Sequence, residues 1–570
     1  MRIRNYPLIF CVLSSMLLSP VFLPAAQSDS QLFHNVIVLI PDGCGVAHMT
    51  MARWFKGAPL AQDDMDISLV HTHNTNSMIT GSAAAATAFA TGYKTWEGPD
   101  KARCVSMRPD SLILPKPYKL PESQQWRPVA SVLEGARLAG KAVGLVATCR
   151  VSHATPAAYA SHWHARNDEH ILMEQMVYAG IDVVFGGGLA YLIDTDSKIP
   201  GTTLAGRRDD GENLYDVLIA RGYDIITTKD ELDGLPPEAR KVWGMFAPSH
   251  MYHDIDRHRV APDQPSLVEM TRQAIRVLSQ NPNGFFLTVE GSQVDWSSHT
   301  NDPVGTITEY IAFDQVVTAA LEFARSSREP TLVLVFPDHD NGGMSLGDRD
   351  ADYGSFQPVH MVNVINRAAL TSDAAAWLVY TNTDNAQPDP DTVRDIISEY
   401  YGITDLTADE LGTIMADLKD TLTDDLPRLL GHMLSRRAHI GWTTFGHTGN
   451  DVPMFSYGLK DVPQTIENTD IAHLCARSMG FNLESVNERL IVDAEMFFDR
   501  ATVTIDTINV LSSAGQLIVE QDDKIAFFPF FKNIMVMDQD TLLFEGLTLY
   551  SLNAHRAYLP KQAKKLFDIR

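Results

Sequence analysis

Four apolar runs, each followed closely by acidic or histidine residues, constrain the fold of this chain more than any other feature. The first is NVIVLIP, which begins at Asn35 and leads to Asp42. The other three cover residues 143–148, 284–289 and 331–336. Nearly continuous apolar runs of this length are typical of strands buried on both faces of a parallel sheet. Helical patterns at 128–140 and 303–325 lie between them. We therefore predict an α/β fold with a doubly wound, mainly parallel central sheet and helices on both faces.

The residues that follow these runs are of the types that bind metal ions. Open α/β sheets place their ligands at the carboxyl ends of strands, where these residues occur. Histidines combined with carboxylates suit a zinc-type ion, and a set made only of oxygen atoms suits magnesium. Each residue alone could be a helix cap or a surface residue, but their shared position favours a metal site. The candidates are Asp42, Thr155, Glu290, Asp295, His299, Asp338, His339 and, from a later loop, His447.

A candidate nucleophile lies in the stretch ITGSAAAATAFATGYKT, residues 79–95. Its alanine-rich part predicts a helix that begins near Ser82 and ends at Gly92. Free backbone N–H groups at a helix N-terminus favour an anion. On its own the stretch is more typical of a capping serine before a buried helix. The candidate metal ligands elsewhere in the chain favour a nucleophile instead.

The N-terminus predicts a secretory signal at residues 1–26. Arg2 and Arg4 precede an apolar run at residues 8–18, and Pro24-Ala25-Ala26 offers a small-residue cleavage site. The apolar run is too short for a membrane span, so we expect no span once the signal is removed. We therefore expect an exported protein, periplasmic or extracellular.

Charge and cysteine usage exclude some classes of protein. The formal net charge of −25 argues against a nucleic-acid-binding surface, which needs a basic face. After the signal, the widely spaced Cys44, Cys104, Cys149 and Cys475 allow two disulfides. We do not expect the fold to depend on them, because a chain of this length can bury a large core. A homodimer is compatible with the sequence.

The chain divides into a main domain and a smaller C-terminal part. We predict a catalytic domain at 27–483, with a helical, solvent-facing segment at 407–437 and a closing helix within 466–483. Strand-like patterns then occur at 502–509, 516–520, 525–537 and 541–551. These predict a C-terminal β-rich module at 484–570, whose role the sequence does not indicate. Because the last candidate ligand is His447, we expect this module to be dispensable for the chemistry.

Seven motifs, in this order, resemble those of the alkaline phosphatase family. They are PDGCG, GSAAAATAFATGYKT, HATPAAYASH, VFGGG, VEGSQVDWSSH, FPDHDNGG and GWTTFGHTG, and they span residues 36–483. The resemblance implies an exported phosphomonoesterase that acts on small phosphate monoesters through a phosphoserine intermediate. It also implies two zinc ions and one magnesium ion per chain.

The resemblance assigns a role to each matching residue. Ser82 would be the nucleophile and Arg166, in HWHARND, would clamp the phosphate. Asp295, His299 and His447 would hold one zinc ion. The second would be held by Asp42, Asp338 and His339, with Ser82 reaching it, and the magnesium ion by Asp42, Thr155 and Glu290. His153 would contact the magnesium shell through water.

Two departures from the family pattern affect residues near the proposed site. Gly81 precedes the serine where the family usually has aspartate, which would leave Arg166 freer to move. Trp296 follows Asp295 where other members have lysine or histidine. Two alternatives stay open: a phosphodiesterase or other hydrolase of the same superfamily, and an exported binding protein without catalysis. The sulfatase context C/S-x-P-x-R is absent, since alanines follow Ser82.

Overall fold

A large central sheet, built from strands between residues 35 and 467, organises the computed structural model of this protein. The structure describes residues 32–98, 103–199, 202–352, 354–382, 389–419, 425–508, 510–512 and 514–569. The predicted signal at residues 1–26 lies outside these ranges. From Leu32 onwards the chain forms one compact unit.

The secondary-structure elements of the described residues are numbered in chain order. The strands are β1 (Asn35–Pro41), β2 (Asp66–His71), β3 (Ser111–Leu112), β4 (Tyr118–Lys119), β5 (Ala142–Arg150), β6 (Val183–Gly187), β7 (Asp224–Ile226), β8 (Val242–Ala247), β9 (Phe285–Gly291), β10 (Thr331–Val335), β11 (Asp340–Asn341), β12 (Ser345–Leu346), β13 (Ile440–Gly441), β14 (His447–Thr448), β15 (Val452–Tyr457), β16 (Thr465–Glu467), β17 (Val492–Asp493), β18 (Thr502–Asp506), β19 (Gln516–Gln521), β20 (Lys524–Pro529), β21 (Ile534–Met537), β22 (Asp540–Leu543), β23 (Leu549–Ser551) and β24 (Arg556–Leu559). The α-helices are α1 (Val46–Lys56), α2 (Ser82–Thr91), α3 (Val132–Leu138), α4 (Ala154–Ala157), α5 (Glu169–Tyr178), α6 (Leu214–Ala220), α7 (Lys229–Asp233), α8 (Asp254–Val260), α9 (Leu267–Leu278), α10 (Gln293–His299), α11 (Pro303–Ser326), α12 (Pro358–Ile365), α13 (Ser372–Asn382), α14 (Pro390–Tyr400), α15 (Ala408–Asp417), α16 (Leu426–Arg437), α17 (Asn468–Ser478), α18 (Leu483–Leu490), α19 (Ala494–Phe497) and α20 (Lys561–Ile569).

The central sheet is mainly parallel, as predicted. Within the described ranges its ten strands follow the order β16-β2-β15-β10-β1-β9-β5-β6-β8-β7. Strand β1 pairs in parallel with β10 on one side and β9 on the other, and Ile40 lies opposite Glu290. Strand β15 runs antiparallel to both β10 and β2. The four predicted strands are therefore β1, β5, β9 and β10, which are neighbours in the sheet.

Both faces of the sheet are buried. Along β1, Val36, Val38 and Ile40 pack into one apolar core, which α2, α3 and α17 cover. Ile37 and Leu39 point to the other face and pack with α1, α9 and α11. A strand that buries every side chain must be apolar along its whole length. This explains why the sequence of β1 shows no alternation of polar and apolar residues.

Two helical predictions differ from the structure. The helix predicted at 128–140 begins only at Val132, because Ser131 caps it: Ser131 Oγ accepts the Glu134 N–H at 3.2 Å, and the Glu134 carboxylate accepts the Ser131 N–H at 2.8 Å. The described residues of the segment 407–437 form α15 and α16, so the helical part of that prediction is confirmed, but the segment does not face solvent throughout. Leu430 and Leu434 of α16 are buried in the core.

The C-terminal residues form antiparallel sheets that pack on the rest of the molecule. Strands β18 to β22 make one five-stranded sheet, and β17, β24 and β23 make another. The predicted segments 525–537 and 541–551 each contain two strands, and α20 was not predicted. Phe531, fully buried, packs edge-on against Trp163 with ring centroids 5.2 Å apart. The side chains buried here join the core on one face of the central sheet. The module boundary at residue 484 stays a prediction.

Two further expectations concern the membrane and the cysteines. In the described part of the chain, every helix is too short or too polar to cross a membrane. Cys44, Cys104, Cys149 and Cys475 are all buried and unpaired. The fold is thus built without disulfides between them.

A buried ion pair joins the C-terminal strands to α5. Lys532 Nζ lies 3.3 Å from a carboxylate oxygen of Glu174, which is fully buried, and 2.9 Å from one of Glu212. Removing the cation would take away one charge partner of a carboxylate that is fully buried. We expect Lys532→Met to lower the free energy of unfolding by about 3 kcal/mol, measured by denaturant unfolding.

The matched control for this variant is Arg272→Met. It breaks a 2.8 Å pair with Glu322 in which both side chains are more than half exposed, so we expect a loss under about 1 kcal/mol. Equal losses in the two variants would contradict the buried role of Lys532.

Candidate active site

The candidate nucleophile begins a buried helix. Gly81 is the N-cap residue of α2 and Ser82 is its first residue, as the sequence predicted. Gly92 ends the helix in the left-handed conformation, φ 79°, which favours glycine. Every side chain of α2 is buried, including Ser82, and Ser82 Oγ lies 3.4 Å from His339 Nε2. The hydroxyl is therefore held at a helix N-terminus, next to a candidate metal ligand.

Asp42, Asp338 and His339 form the first ligand cluster. His339 Nε2 lies 3.7 Å from Asp42 Oδ1 and 3.1 Å from Asp338 Oδ2. The other Asp338 oxygen accepts backbone N–H groups of Gly43 and His339, each at 3.0 Å. Burial opposes ionisation of Asp338, but the neighbouring His339 outweighs it, so the pKa of Asp338 is lowered. Three possible ligand atoms of these residues lie within 4.8 Å of one another.

Asp295, His299 and His447 form the second cluster. Asp295 and His299 lie one turn apart on α10, as their spacing predicted, with Nε2 3.4 Å from Asp295 Oδ2. His447 Nε2 lies 3.6 Å from Asp295 Oδ1 and 3.2 Å from His299 Nε2. Burial opposes ionisation of Asp295, but the bond from His299 and the other histidines lower its pKa. The His447 ring also stacks on His339, with centroids 3.6 Å apart, and so joins the two clusters.

Backbone contacts orient the two histidine ligands of this cluster. Each uses its Nδ1 atom to contact a carbonyl oxygen: Phe445 O for His299 at 2.7 Å, and Thr80 O for His447 at 2.8 Å. Nδ1 is therefore the atom that donates to the backbone, and Nε2, which faces Asp295, is the atom that would bind a cation. Burial, with His339 nearby, lowers the pKa of His447 to about 4, so its ring is neutral at physiological pH.

An oxygen-only group lies beside the first cluster. Both Asp42 oxygens, Thr155 Oγ1 and Glu290 Oε1 are buried and have no hydrogen-bond partner among the described residues. Burial and the charges of Asp338, Asp295 and Glu290 raise the pKa of Asp42 well above its usual value. Burial also raises the pKa of Glu290 to about 7. Buried oxygens without partners, which repel one another when ionised, are the donor set that a hard cation would satisfy.

Arg166 lines the same cavity as Ser82. Its guanidinium Nη2 is 2.8 Å from His153 Nε2. The His153 ring lies edge-on to Trp296, with centroids 5.9 Å apart, and Trp296 in turn contacts His250 at 4.1 Å. His153 thus contacts the Arg166 guanidinium directly, whereas the lack of a side chain at Gly81 had suggested a freer arginine.

The cavity has a volume of about 620 Å³ and is rich in charged groups. Its lining includes Ser82, Glu97, Arg103, Arg150, His153, Arg166, Glu169, Asp295, Trp296, His299 and His447. Arg150 is paired with Glu169 at 2.6 Å and Arg103 with Glu97 at 3.0 Å. Within the described ranges, no carboxylate lies within 4.0 Å of the Arg166 guanidinium. Arg166 is therefore the cation of this cavity that is available to an anionic substrate.

Three residues that contact the site, Asn341, Glu97 and Arg103, were not predicted from the sequence. Asn341 Nδ2 donates to Asp295 Oδ1 at 2.7 Å and fixes that carboxylate, although it follows the DHD motif directly. Glu97 and Arg103 reach the site from a loop after α2. Their distance from Gly81 and Arg166 along the chain hides this contact from any local pattern.

Comparison with known proteins shows which family the chain belongs to. The profile of the family described as alkaline phosphatase matches residues 33–480. The chain belongs to the alkaline phosphatase family. It is 32% identical to alkaline phosphatase 3 of Bacillus subtilis over 80% of this chain and 90% of that one. The repressible alkaline phosphatase of Saccharomyces cerevisiae is 29% identical over 81% of this chain and 84% of its own length.

Solved structures of alkaline phosphatases share the fold. The Thermus thermophilus alkaline phosphatase superposes with a TM-score of 0.67 at 25% identity, covering 79% of this chain and 92% of that one. The cold-active alkaline phosphatase of a Shewanella species gives 0.63 at 25% identity, over 78% and 99%. Like the alkaline phosphatases it resembles, this chain is a phosphomonoesterase with candidate metal-binding groups. The β-rich residues from 484 onwards lie beyond the family match.

The raised pKa values of Asp42 and Glu290 predict how pH affects the metal-free protein. Both groups keep a proton in the folded state at pH values where the unfolded chain has released it, near about 4. At these two groups the folded state then binds more protons, so their contribution to the free energy of unfolding falls as pH rises from about 4 to about 7. Asp295 and Asp338, whose pKa values are lowered, are ionised in both states in this range and add no slope.

Denaturant unfolding with and without a chelator measures this effect. We expect the stability gap between metal-loaded and metal-free protein to widen by roughly 3 kcal/mol across that range. Glu290→Gln should reduce the widening, because it removes one of the two groups. Parallel curves for the loaded and stripped protein would contradict the prediction.

Proposed function

We propose that this chain is an exported phosphomonoesterase that works through a phosphoserine at Ser82, with two zinc ions and one magnesium ion. The observation that supports it best is the position of Ser82: buried at a helix N-terminus, 3.4 Å from His339 and in the same cavity as Arg166. The Ser82 hydroxyl therefore faces the cavity that would hold the substrate. The signal predicted at residues 1–26 supports export.

The donor sets suit the ions that we propose. Asp295, His299 and His447 would hold one zinc ion, and Asp42, Asp338 and His339 the other, with Ser82 next to it. Asp42, Glu290 and Thr155 offer only oxygen atoms, which suits magnesium. When bound, the ions activate the serine hydroxyl and neutralise charge on the reacting phosphoryl group.

The residues of the chain perform the remaining tasks. Arg166 can bind two phosphoryl oxygens with two N–H groups and so hold the phosphorus atom in line with Ser82 Oγ. Ser82 Oγ gives up its proton and bonds to phosphorus as the ester oxygen leaves and is protonated to the alcohol. Water then breaks the bond between Ser82 Oγ and phosphorus, which releases inorganic phosphate and returns a proton to Ser82. The N-terminal N–H groups of α2 add a positive field that favours the anionic intermediate. His153 keeps the Arg166 guanidinium directed at the substrate.

Substitution of the nucleophile tests the covalent step. Ser82→Ala should lose at least about a thousand-fold in turnover of a generic phosphate monoester, since no other group replaces the hydroxyl. Its melting temperature and metal content should stay close to native, because most ligands lie elsewhere. Acid quenching and mass spectrometry should find phosphate on Ser82 of the native protein. Phosphate on another residue would refute the assignment.

Metal content tests the ligand assignment. Native protein should carry about two zinc ions and one magnesium ion per chain by elemental analysis, because two donor sets contain histidine and one does not. Chelation should abolish monoester hydrolysis, and zinc with magnesium should restore it. Glu290→Gln should lose magnesium and retain zinc. A comparison of monoester with diester hydrolysis tests the alternative of a phosphodiesterase, which would cleave the diester faster.

A further inference from the structure

The Glu97 carboxylate lies against the turn that carries the nucleophile. Glu97 Oε2 accepts the Gly81 N–H at 2.5 Å. A Cβ atom on Gly81 would lie 2.8 Å from Glu97 Cδ, much closer than normal contact. Gly81 has φ −103°, a conformation open to any residue. Glu97 therefore occupies the volume that a side chain at position 81 would fill, and any such side chain would have to displace the Glu97 carboxylate.

Glu97 is held in this place by its own backbone. Its N–H donates to Asn76 Oδ1 at 3.0 Å, and Asn76 Nδ2 donates to the Glu97 carbonyl at 2.8 Å. The Glu97 side chain is only 17% exposed. Both the backbone and the carboxylate of Glu97 are already fixed. The side chain therefore loses little further conformational entropy when it holds a neighbouring residue in position.

The same carboxylate connects to the phosphate-binding arginine. Glu97 Oε1 pairs with Arg103 Nε at 3.0 Å, and the Arg103 carbonyl accepts the Arg166 backbone N–H at 2.9 Å. Burial and the Arg103 charge lower the pKa of Arg166, and the Glu97 charge opposes this effect. One carboxylate therefore contacts the nucleophile turn directly and reaches Arg166 through a single intervening residue.

Resting on the proposed phosphatase function, we propose that Glu97 is a positioning residue for this active site. Its carboxylate replaces the side chain missing at Gly81, fixes the Gly81–Ser82 turn, and holds Arg103 so that the backbone of Arg103 keeps Arg166 in place. Glu97 itself does not touch the substrate. The sequence separation between residues 81 and 97 is bridged only in the folded protein.

Moving the carboxylate between the two positions tests this proposal. Glu97→Ala and Gly81→Asp should each lower kcat/KM for a generic monoester by about ten-fold, the scale of one charge-assisted hydrogen bond. The first lacks the carboxylate and the second forces two carboxylates into one space. The double variant Gly81→Asp/Glu97→Ala returns one carboxylate to that space, so we expect kcat/KM within about three-fold of native.

Glu97→Gln separates charge from volume. The amide fills the same space, so we expect the native melting temperature and metal content, together with a higher KM and weaker inhibition by inorganic phosphate. Glu410→Gln is the matched control. Glu410 also pairs with an arginine, Arg437 at 2.8 Å, and accepts a backbone N–H, at 2.9 Å, with its side chain 23% exposed. We expect no change in its KM or phosphate inhibition.

Several outcomes would overturn the proposal. One is a kcat/KM for the double variant Gly81→Asp/Glu97→Ala that is no higher than that of Glu97→Ala. Tighter phosphate inhibition in Glu97→Gln would show that Glu97 merely screens Arg103 from the substrate. Loss of melting temperature and metal in step with activity would show a purely structural role. Each variant is compared with the native protein. If the proposed phosphatase function is wrong, the native protein itself will not hydrolyse the monoester, and this result is distinct from any effect of Glu97.

Discussion

Four carboxylates are buried at one edge of the central sheet, and the arrangement of the site follows from their charge. Moving an ionised carboxylate out of water costs several kcal/mol unless partners compensate it. Asp295 and Asp338 have such partners in histidines, in Asn341 and in backbone N–H groups. Asp42 and Glu290 have weaker compensation, from His339 at 3.7 Å and from the Cys149 thiol at 3.4 Å, and burial raises their pKa values. Bound cations are the compensation that this donor set lacks, so metal binding would serve both stability and catalysis.

The sheet makes this concentration of charge possible. Strands β1, β9 and β10 are buried on both faces by two apolar cores, so their backbones are fixed and dry. Each ends near the same edge and carries its acidic or histidine residue there. Rigid strands hold ligands more precisely than loops do. The favourable free energy of burying many apolar side chains thus offsets the cost of burying a few carboxylates at this edge of the sheet.

Small residues bring the nucleophile into this edge. The alanines of α2 allow the helix to pack closely between α4 and α17 while every side chain is buried. Gly81 extends the same principle by one residue, because it admits the Glu97 carboxylate next to Ser82. His447, from the short strand β14 far along the chain, completes the arrangement by stacking on His339. In this interpretation the candidate metal ligands and Arg166 make Ser82 reactive, and helix α2 contributes only its N-terminal N–H groups.

The sequence alone determined the central sheet and supplied the candidate residues of the site. Uniformly apolar runs predicted β1, β5, β9 and β10, because a strand buried on both faces has no polar positions. The i, i+4 spacing predicted that Asp295 and His299 share a helical face, because that contact is local. Family motifs then predicted which distant residues meet, and the structure brings two such groups together around His339.

Only the tertiary structure decided the contacts that join distant segments without a local pattern. Glu97 fills the space beside Gly81, and His153 holds Arg166, although the sequence had suggested a freer arginine. The C-terminal strands share the core of the main sheet, with Phe531 against Trp163, which a change of texture near residue 484 could not reveal. Periodicity reports which side of an element is buried, but not what packs against it. That choice depends on the shape and charge of surfaces that exist only once the chain has folded.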